Sequence, residues 1–331
     1  NVLLHKVGFQ VDNFAHILTP PALPGSQLGA VHSLSLSWKN WTVEIAESPI
    51  GSPLFKSLDE QGGYALTHFG VLTRTDGVLF GAQDAHRALR TIVALLSFAQ
   101  GGACGMPIEW GLNREGAVIW KHFGSAVVDP WKFRAGWFDQ HHPRALCDLI
   151  APFAALYEDD SQREAFELAL FWYRQCNLRA GGMEGAIILG HAALELLGAL
   201  ILVNQHAVIS AKQYDGLPAG LKIDRLLNTL TGQILIPDHL AALKTFAMNN
   251  HWQSIGTALA ELRHGFVHAN KKRRSVVLLS DRFVRFQAWQ MTLWLIELAL
   301  LRLLAYNGEY RNRLTAKNVG DVGPVPWRSR T

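Results

Sequence analysis

Hydrophobic and polar residues follow two different patterns along the chain, and the change comes before its midpoint. In the first part, residues 34–38 and 41–45 each place a hydrophobic side chain at every second position, which predicts half-buried strands. Residues 64–73 predict a further strand, and residues 78–80 follow it after the turn sequence Thr75-Asp76-Gly77. These two segments are therefore expected to pair as a hairpin.

A helix and a second hairpin complete this first part of the chain. Asp84 is positioned to cap a helix that runs to about Ala99 and is ended by Gly101-Gly102. Residues 108–120 predict the hairpin, with a polar turn at its centre. The prolines between residues 49 and 53 predict a loop, because proline fixes φ and lacks a backbone donor.

From Pro143 onward the apolar residues recur with helical spacing. The predicted helices are 143–157, 162–179, 183–204, 221–231, 238–248, 255–269 and 282–306. Consecutive helices with short polar joins are typical of a bundle. We therefore expect an α+β domain over residues 1–142, an all-α helical bundle over 143–314 and a C-terminal tail over 315–331. The tail should either cross the bundle as a strap or be frayed.

The composition is that of a folded globular protein, with 49% hydrophobic and 18% charged residues. Three widely spaced cysteines without a C-x-x-C pair favour neither a disulfide framework nor a cysteine zinc site, so we expect a reducing, cytoplasmic setting. The most apolar segments, 186–203 and 293–304, each contain charged residues and are expected to be buried bundle helices rather than membrane spans. No glycine motif matches a phosphate-binding or dinucleotide-binding loop, and no cofactor is expected.

Positive charge is concentrated toward the C-terminus. The net charge is +4, yet the residues from Arg263 onward contain thirteen Lys or Arg against four Asp or Glu. Such a bias favours a polyanionic partner through counterion release, although a solvated basic surface would have the same composition.

The densest chemistry lies in residues 261–274, which combine Arg263, His264 and His268 with four consecutive cations, Lys271, Lys272, Arg273 and Arg274. Metal-independent RNA cleavage needs a base for the ribose 2′-OH, an acid for the leaving 5′-oxygen and a cation for the phosphorane. Histidine titrates near neutral pH and can fill the first two roles, and guanidinium can fill the third.

The spacing from Arg263 to His268 resembles the R-x(4–6)-H signature of HEPN ribonucleases. A second segment, Ala193-Leu194-Glu195-Leu196-Leu197, resembles the A-L-E-x-L stretch of many bacterial HEPN proteins. This resemblance implies a HEPN-like bundle, a homodimer with a composite site, and endoribonuclease activity in a toxin or antiviral effector. Arg263, His264, His268 and Glu195 would form the catalytic site, Lys271–Arg274 would bind RNA, and the N-terminal domain would sense a regulatory ligand or partner. His264 departs from the motif, which usually has Asn or another small polar residue there.

The whole chain is also similar to a bacterial protein family that implies no particular activity. Four motifs carry this similarity, which runs from about residue 64 to 328: Leu96-Ser97-Phe98-Ala99-x-Gly101, the segment 193–197, Leu262-Arg263-x-x-x-Val267-His268, and Tyr306 to Leu314 with Val325-Pro326-Trp327.

Helical geometry limits how Arg263 and His268 can meet. Five residues correspond to about 500° of rotation, so the two side chains differ by about 140° in azimuth with a rise of about 7.5 Å. Either the helix is distorted at Gly265, or a second copy of the chain completes the site. His264 and His268, four residues apart, should lie together.

Other interpretations of the same residues stay open. Glu195, a single carboxylate among apolar neighbours, needs a partner, and Arg263 is the expected one in either a structural or a catalytic role. The bundle could be a non-catalytic interaction or nucleotide-binding module. A metal-dependent hydrolase using His191, Glu195, His264 and His268 is a further alternative. The remaining histidines are expected to be surface or loop residues.

Overall fold

A computed structural model describes residues 2–18, 32–132, 136–268 and 271–328. The chain forms two compact units. Unit 1 comprises Asn1–Arg163, Glu309–Arg311 and Ala316–Gly323, and unit 2 comprises Glu164–Gly308, Asn312–Thr315 and Pro324–Thr331.

Unit 1 is built on a six-stranded antiparallel sheet, as far as the described residues go. Across the sheet the strands run β3 (Ser33–Trp38), β4 (Trp41–Glu47), β5 (Leu66–Arg74), β2 (Lys6–Asp12), β7 (Ile108–Leu112) and β8 (Val118–Phe123). The predicted strands at 34–38 and 41–45 are confirmed, and Leu34, Leu36 and Trp38 are buried as their alternation requires. The second predicted hairpin is confirmed as β7 and β8.

The predicted hairpin between residues 64–73 and 78–80 does not form. The short strand β6 (Phe80–Gly81) pairs instead with β1 (Leu3–Leu4). Because β4 and β2 occupy both edges of β5, no edge of β5 is left for a further strand.

Among its described residues, unit 1 has three helices, which are α1 (Ser52–Gln61), α2 (Ala82–Gln100) and α3 (Arg144–Tyr157). Helix α1 occupies part of the predicted proline loop, because proline is well tolerated in the first turn of a helix, where its missing N–H has no partner to lose. Helix α3 packs on β3 and α2. The predicted domain boundary follows the last strand, whereas the compact unit extends beyond it to Arg163.

Unit 2 is helical, as predicted for the second part of the chain. Its helices are α4 (Arg163–Asn177), α5 (Gly182–Ala199) with a π-helical continuation (Leu200–Gln205), α6 (Ala211–Asp215), α7 (Ala219–Thr231), α8 (Ala241–Asn249), α9 (Ile255–Val267), α10 (Lys271–Leu278) and α11 (Arg282–Leu303). Two-residue strands β9 (Glu309–Tyr310) and β10 (Gly323–Pro324) follow along the chain, and β9 belongs to unit 1. Helix α11 packs against α5, α7 and α8, and α5 packs against α9. The predicted contact between the helix bearing Glu195 and the helix bearing Arg263 is therefore confirmed.

The segment after α11 is tied to the core of unit 2. Arg313 donates through Nε to Glu297 Oε2 at 2.8 Å and through Nη2 to Glu297 Oε1 at 2.5 Å. Tyr173 O–H donates to the same carboxylate at 2.8 Å, and Glu297 is fully buried. Further along, Trp327 Nε1 donates to the carbonyl of Tyr306 at 2.8 Å. Within the predicted tail, 315–331, Trp327 is therefore bonded back to the chain just after α11.

The combined helix Gly182–Gln205 is the described segment that is long and apolar enough to cross a membrane. Most of its apolar stretch is buried inside the protein, as in a core helix of a bundle.

Candidate functional site

Helix α9 carries the predicted site and is anchored at its N-terminus. Ser254 caps it, with Oγ accepting from Thr257 N at 3.1 Å. The Asp224 carboxylate on α7 accepts from Gly256 N at 2.9 Å and from Ser254 Oγ at 2.6 Å. Gly220 and Gly256 bring α7 and α9 into close contact, since a Cβ on Gly256 would lie 2.1 Å from the Gly220 carbonyl oxygen. The start of α9 is therefore fixed against α7.

The C-terminal end of α9 is regular up to His268. The α-helix passes through Gly265 and ends at Val267, and His268 follows as the C-cap with φ −97° and ψ 140°. The first of the two alternatives, a distortion at Gly265, is therefore absent, and the chain leaves the helix three residues later. Arg263 is half-buried on the helix, whereas His268 is exposed at its end.

The two imidazoles lie together, as their spacing predicts. The ring centroids of His264 and His268 are 5.4 Å apart, at an interplanar angle of 60°. His264 Nδ1 is 3.9 Å from Glu261 Oε1, and the backbone N–H of His268 donates to the His264 carbonyl at 2.9 Å. A pair of partly exposed imidazoles is suited to transferring protons to and from a bound substrate.

Glu195 on α5 has partners other than the predicted Arg263. Its Oε1 is 3.1 Å from His191 Nε2, and its Oε2 is 3.9 Å from Lys222 Nζ on α7. The hydrogen bond from His191 lowers the pKa of Glu195, and the positive charges of Lys222 and Arg263 lower it further. Arg263 therefore attracts the carboxylate at longer range without forming a direct ion pair with it.

Lys222 and Tyr214 belong to this site, and the sequence analysis missed both. Tyr214 O–H donates to the backbone carbonyl of Glu195 at 2.6 Å, and Lys222 Nζ lies 5.0 Å from the Tyr214 ring centroid. Burial raises the pKa of Tyr214, so the phenol stays protonated. Neither residue stands in a motif, and helical periodicity does not specify how α7 is rotated toward α5.

The predicted RNA-binding cations form helix α10, which packs against α9. A helix was not predicted there, because four consecutive cations give no amphipathic pattern. Lys271 and Arg274 are exposed. The side chains of Lys272 and Arg273 lie outside what the structure describes.

The four residues of the alternative metal site, His191, Glu195, His264 and His268, do not form one group of metal ligands. His191 is paired with Glu195, and the described residues of unit 2 contain no group of three metal-ligating side chains that involves His264 or His268. In unit 1, by contrast, ligand atoms of His86, Glu109 and His122 all lie within 4.8 Å of one another.

His86 and His122 were expected to be surface or loop residues, and both are partly exposed, although they lie on α2 and β8 rather than in loops. The same expectation was wrong for His68, which is fully buried on β5. The predicted hairpin over residues 108–120 included Glu109 but ended before His122. The structure pairs the two residues directly, with a register shift between Gly111 and Leu112 that alternation alone does not predict. The position of α2 over this pair has no local signal.

The sequence matches two family models, the YopA central domain over residues 3–134 and the YopA C-terminal domain over residues 159–324. It is 24% identical, over 331 residues, to the SPbeta prophage-derived uncharacterized protein YopA of Bacillus subtilis (strain 168). That alignment covers 99% of this chain and 73% of the relative. No solved structure matches the chain. Because the C-terminal model alone spans half of the residues, the chain belongs to the YopA family.

Proposed function

We propose that the protein is a metal-independent endoribonuclease of HEPN type, with its site at the C-terminal end of α9. One observation carries the proposal. The imidazoles of His264 and His268 are 5.4 Å apart and partly exposed, and in sequence they stand between Arg263 and the basic helix α10. The proposal extends to a toxin or antiviral effector in which unit 1 senses a regulatory ligand or partner.

The chemistry needs two proton transfers and one stabilised charge. One imidazole removes the proton of a ribose 2′-OH, and the oxygen attacks the adjacent phosphorus. The other, protonated, gives its proton to the departing 5′-oxygen, which leaves a 2′,3′-cyclic phosphate and a 5′-hydroxyl. The guanidinium of Arg263 stabilises the negative charge of the phosphorane between these steps.

Glu195 would act as a positioning residue in this scheme. Its carboxylate is kept ionised by the hydrogen bond from His191 and by nearby cations, so it offers Arg263 a counter-charge when no RNA is bound. An RNA phosphate would take over that role in the complex.

The proposed site is shared between two copies of the chain. Arg263 and His268 diverge on the regular helix, and a two-fold axis near the end of α9 would place each Arg263 opposite the partner's motif. Lys271 and Arg274 on α10 would then line the groove along the phosphate backbone.

The test is cleavage of labelled RNA by the purified full chain in EDTA. Arg263→Ala and His268→Ala should each lower the cleavage rate by about 10²- to 10⁴-fold, because each removes a group that acts in the transition state. Arg225→Ala and His239→Ala are matched controls, since both side chains are exposed elsewhere in unit 2, and these variants should keep the wild-type rate. Undiminished cleavage by the first two variants would remove this site from the mechanism.

A non-catalytic interaction or nucleotide-binding module is the second candidate. It is favoured by His264, which stands where HEPN motifs usually have Asn or another small polar residue. Such a module would bind RNA in a gel-shift assay, with Lys271→Ala weakening the complex, but would leave the RNA intact in every variant.

A further inference from the structure

We propose that unit 1 binds a divalent transition-metal ion, with zinc as the best match, through His86, Glu109 and His122. Among the residues that the structure describes, these three form the group of His, Cys, Asp or Glu side chains whose ligand atoms all lie within 4.8 Å of one another. The site lies in unit 1 and shares no residue with the proposed ribonuclease site.

The backbone brings the three side chains together. Glu109 on β7 and His122 on β8 are direct partners in an antiparallel pair, so they project from the same face of the sheet with Cβ atoms about 4.5–5.5 Å apart. His86 reaches them from α2. Its Nδ1 is 3.0 Å from Glu109 Oε1, and its ring centroid is 5.1 Å from that of His122.

These separations suit a single ion. Zinc bonds to histidine nitrogen and carboxylate oxygen are about 2.0–2.2 Å long, so two tetrahedral ligands lie about 3.3–3.5 Å apart. The distance of 3.0 Å between His86 Nδ1 and Glu109 Oε1 is already close to that value. All ligand atoms of the three residues lie within 4.8 Å of one another, so small side-chain rotations would bring His122 to the same separation. Two histidines and one glutamate are a zinc ligand set that leaves a coordination position open. Iron(II) uses a similar set.

Burial and charge favour a cation at this place. The Glu109 side chain is 5% exposed, and among the described residues its carboxylate is hydrogen-bonded by His86 alone. A buried carboxylate with one partner is incompletely compensated, and a divalent ion would supply the missing positive charge.

The opposite side of the cluster is open. The His86 side chain is 43% exposed, and His122 is half-buried on the edge strand beside Trp120. The ion can therefore enter from solvent, and water can occupy the open position. Binding would also connect α2 to the edge of the sheet.

The test uses the full chain, stripped with a chelator, dialysed and titrated with zinc chloride by calorimetry. We expect one tightly bound zinc per chain, and a weakening of ten-fold or more in His86→Gln, Glu109→Gln and His122→Gln. Cobalt(II) should give a visible absorption band in the wild type that His122→Gln abolishes. His141→Gln in unit 1 and His268→Asn in unit 2 are matched controls that should bind zinc as the wild type does.

Zinc binding that is unchanged in His122→Gln, or absent from the wild type, would overturn the proposal. If Glu109→Gln fails to fold by circular dichroism, the two histidine variants still decide the matter, because their side chains are partly exposed. RNA cleavage in EDTA does not depend on this site, so failure of either proposal is recognised separately.

Discussion

The imidazole of His68 in unit 1 is fully buried, and this burial lowers its pKa to about 3. Two charged neighbours also act on this pKa, which the charge of Glu47 raises and the charge of His16 lowers. Nδ1 is 3.0 Å from Thr67 Oγ1, while Nε2 has no hydrogen-bond partner in the part of the chain that the structure describes. His68 is therefore neutral in the folded protein at any pH near neutrality.

This burial makes unit 1 less stable in acid. Between about pH 6.5 and pH 3 an unfolded histidine binds a proton that the folded His68 does not, so the unfolding free energy falls as pH falls, by up to about 1.4 kcal/mol per pH unit. Glu47 also lowers the unfolding free energy as pH falls, but over a lower pH range. Burial alone would raise its pKa, yet hydrogen bonds from His16 and the Ile17 N–H lower it overall, and the stability this provides is lost below about pH 4.5.

The prediction is that His68→Leu flattens the dependence of the unfolding free energy on pH between pH 6.5 and 4.5. Urea denaturation of the wild type and the variant at several pH values measures it. His141→Gln is the control, because that side chain is exposed and its loss should leave the curve parallel to that of the wild type. Parallel curves for wild type and His68→Leu would contradict the assignment.

The contact between α11 and the segment after it depends on the ion pair between Glu297 and Arg313. Both side chains are buried, at 0% and 1% exposed. Arg313→Met should cost about 3–5 kcal/mol of unfolding free energy, because it leaves a buried carboxylate without its cation. The double variant Glu297→Leu with Arg313→Met should lose less than the single one, since it removes both charges. Denaturant titration measures each.

The matched control is Lys244→Met, which removes the cation of an exposed pair with Asp238 in the same unit. That change should leave the unfolding free energy almost unchanged. A loss in Arg313→Met as small as that in Lys244→Met would show that the pair does not hold the segment in place.

The elements also explain how much the sequence could predict. Alternation identified β3 and β4, and helical spacing placed His264 beside His268, because both depend on local geometry. The pairing of β6 with β1 could not be found that way, since it joins residues far apart in sequence. The contact of Glu195 with His191 follows from their spacing of four residues on α5. The approach of Lys222 depends instead on the rotation of α7 relative to α5, which periodicity leaves undetermined. Glu195, a lone carboxylate among apolar residues, was correctly predicted to need a partner. The carboxylate that is fully buried, however, is that of Glu297 on α11.

The basic C-terminal part of the chain predicts RNA binding that depends on salt. Each phosphate neutralised on a single strand contributes about 0.7 to the slope of log affinity against log salt concentration. Lys271→Ala and Arg274→Ala should each reduce the slope by up to about that amount, whereas Arg225→Ala should leave it unchanged. Fluorescence anisotropy with a short RNA at several salt concentrations measures it. An unaltered slope in both α10 variants would exclude this helix from the interface.

The proposed composite site makes a stronger prediction about assembly, because it would require groups from two copies of the chain. Arg263→Ala and His268→Ala are each expected to be inactive, yet a heterodimer of the two still has one site with an intact arginine from one copy and an intact histidine from the other. Mixing the variants in equal amounts and allowing exchange should therefore restore about a quarter of the wild-type activity, since about half of the dimers are mixed and each has one working site of two. Light scattering should find a dimer in all three samples. An active wild type that is a strict monomer, or a mixture that stays inactive after exchange, would refute the shared site and require Arg263 and His268 to act within one chain.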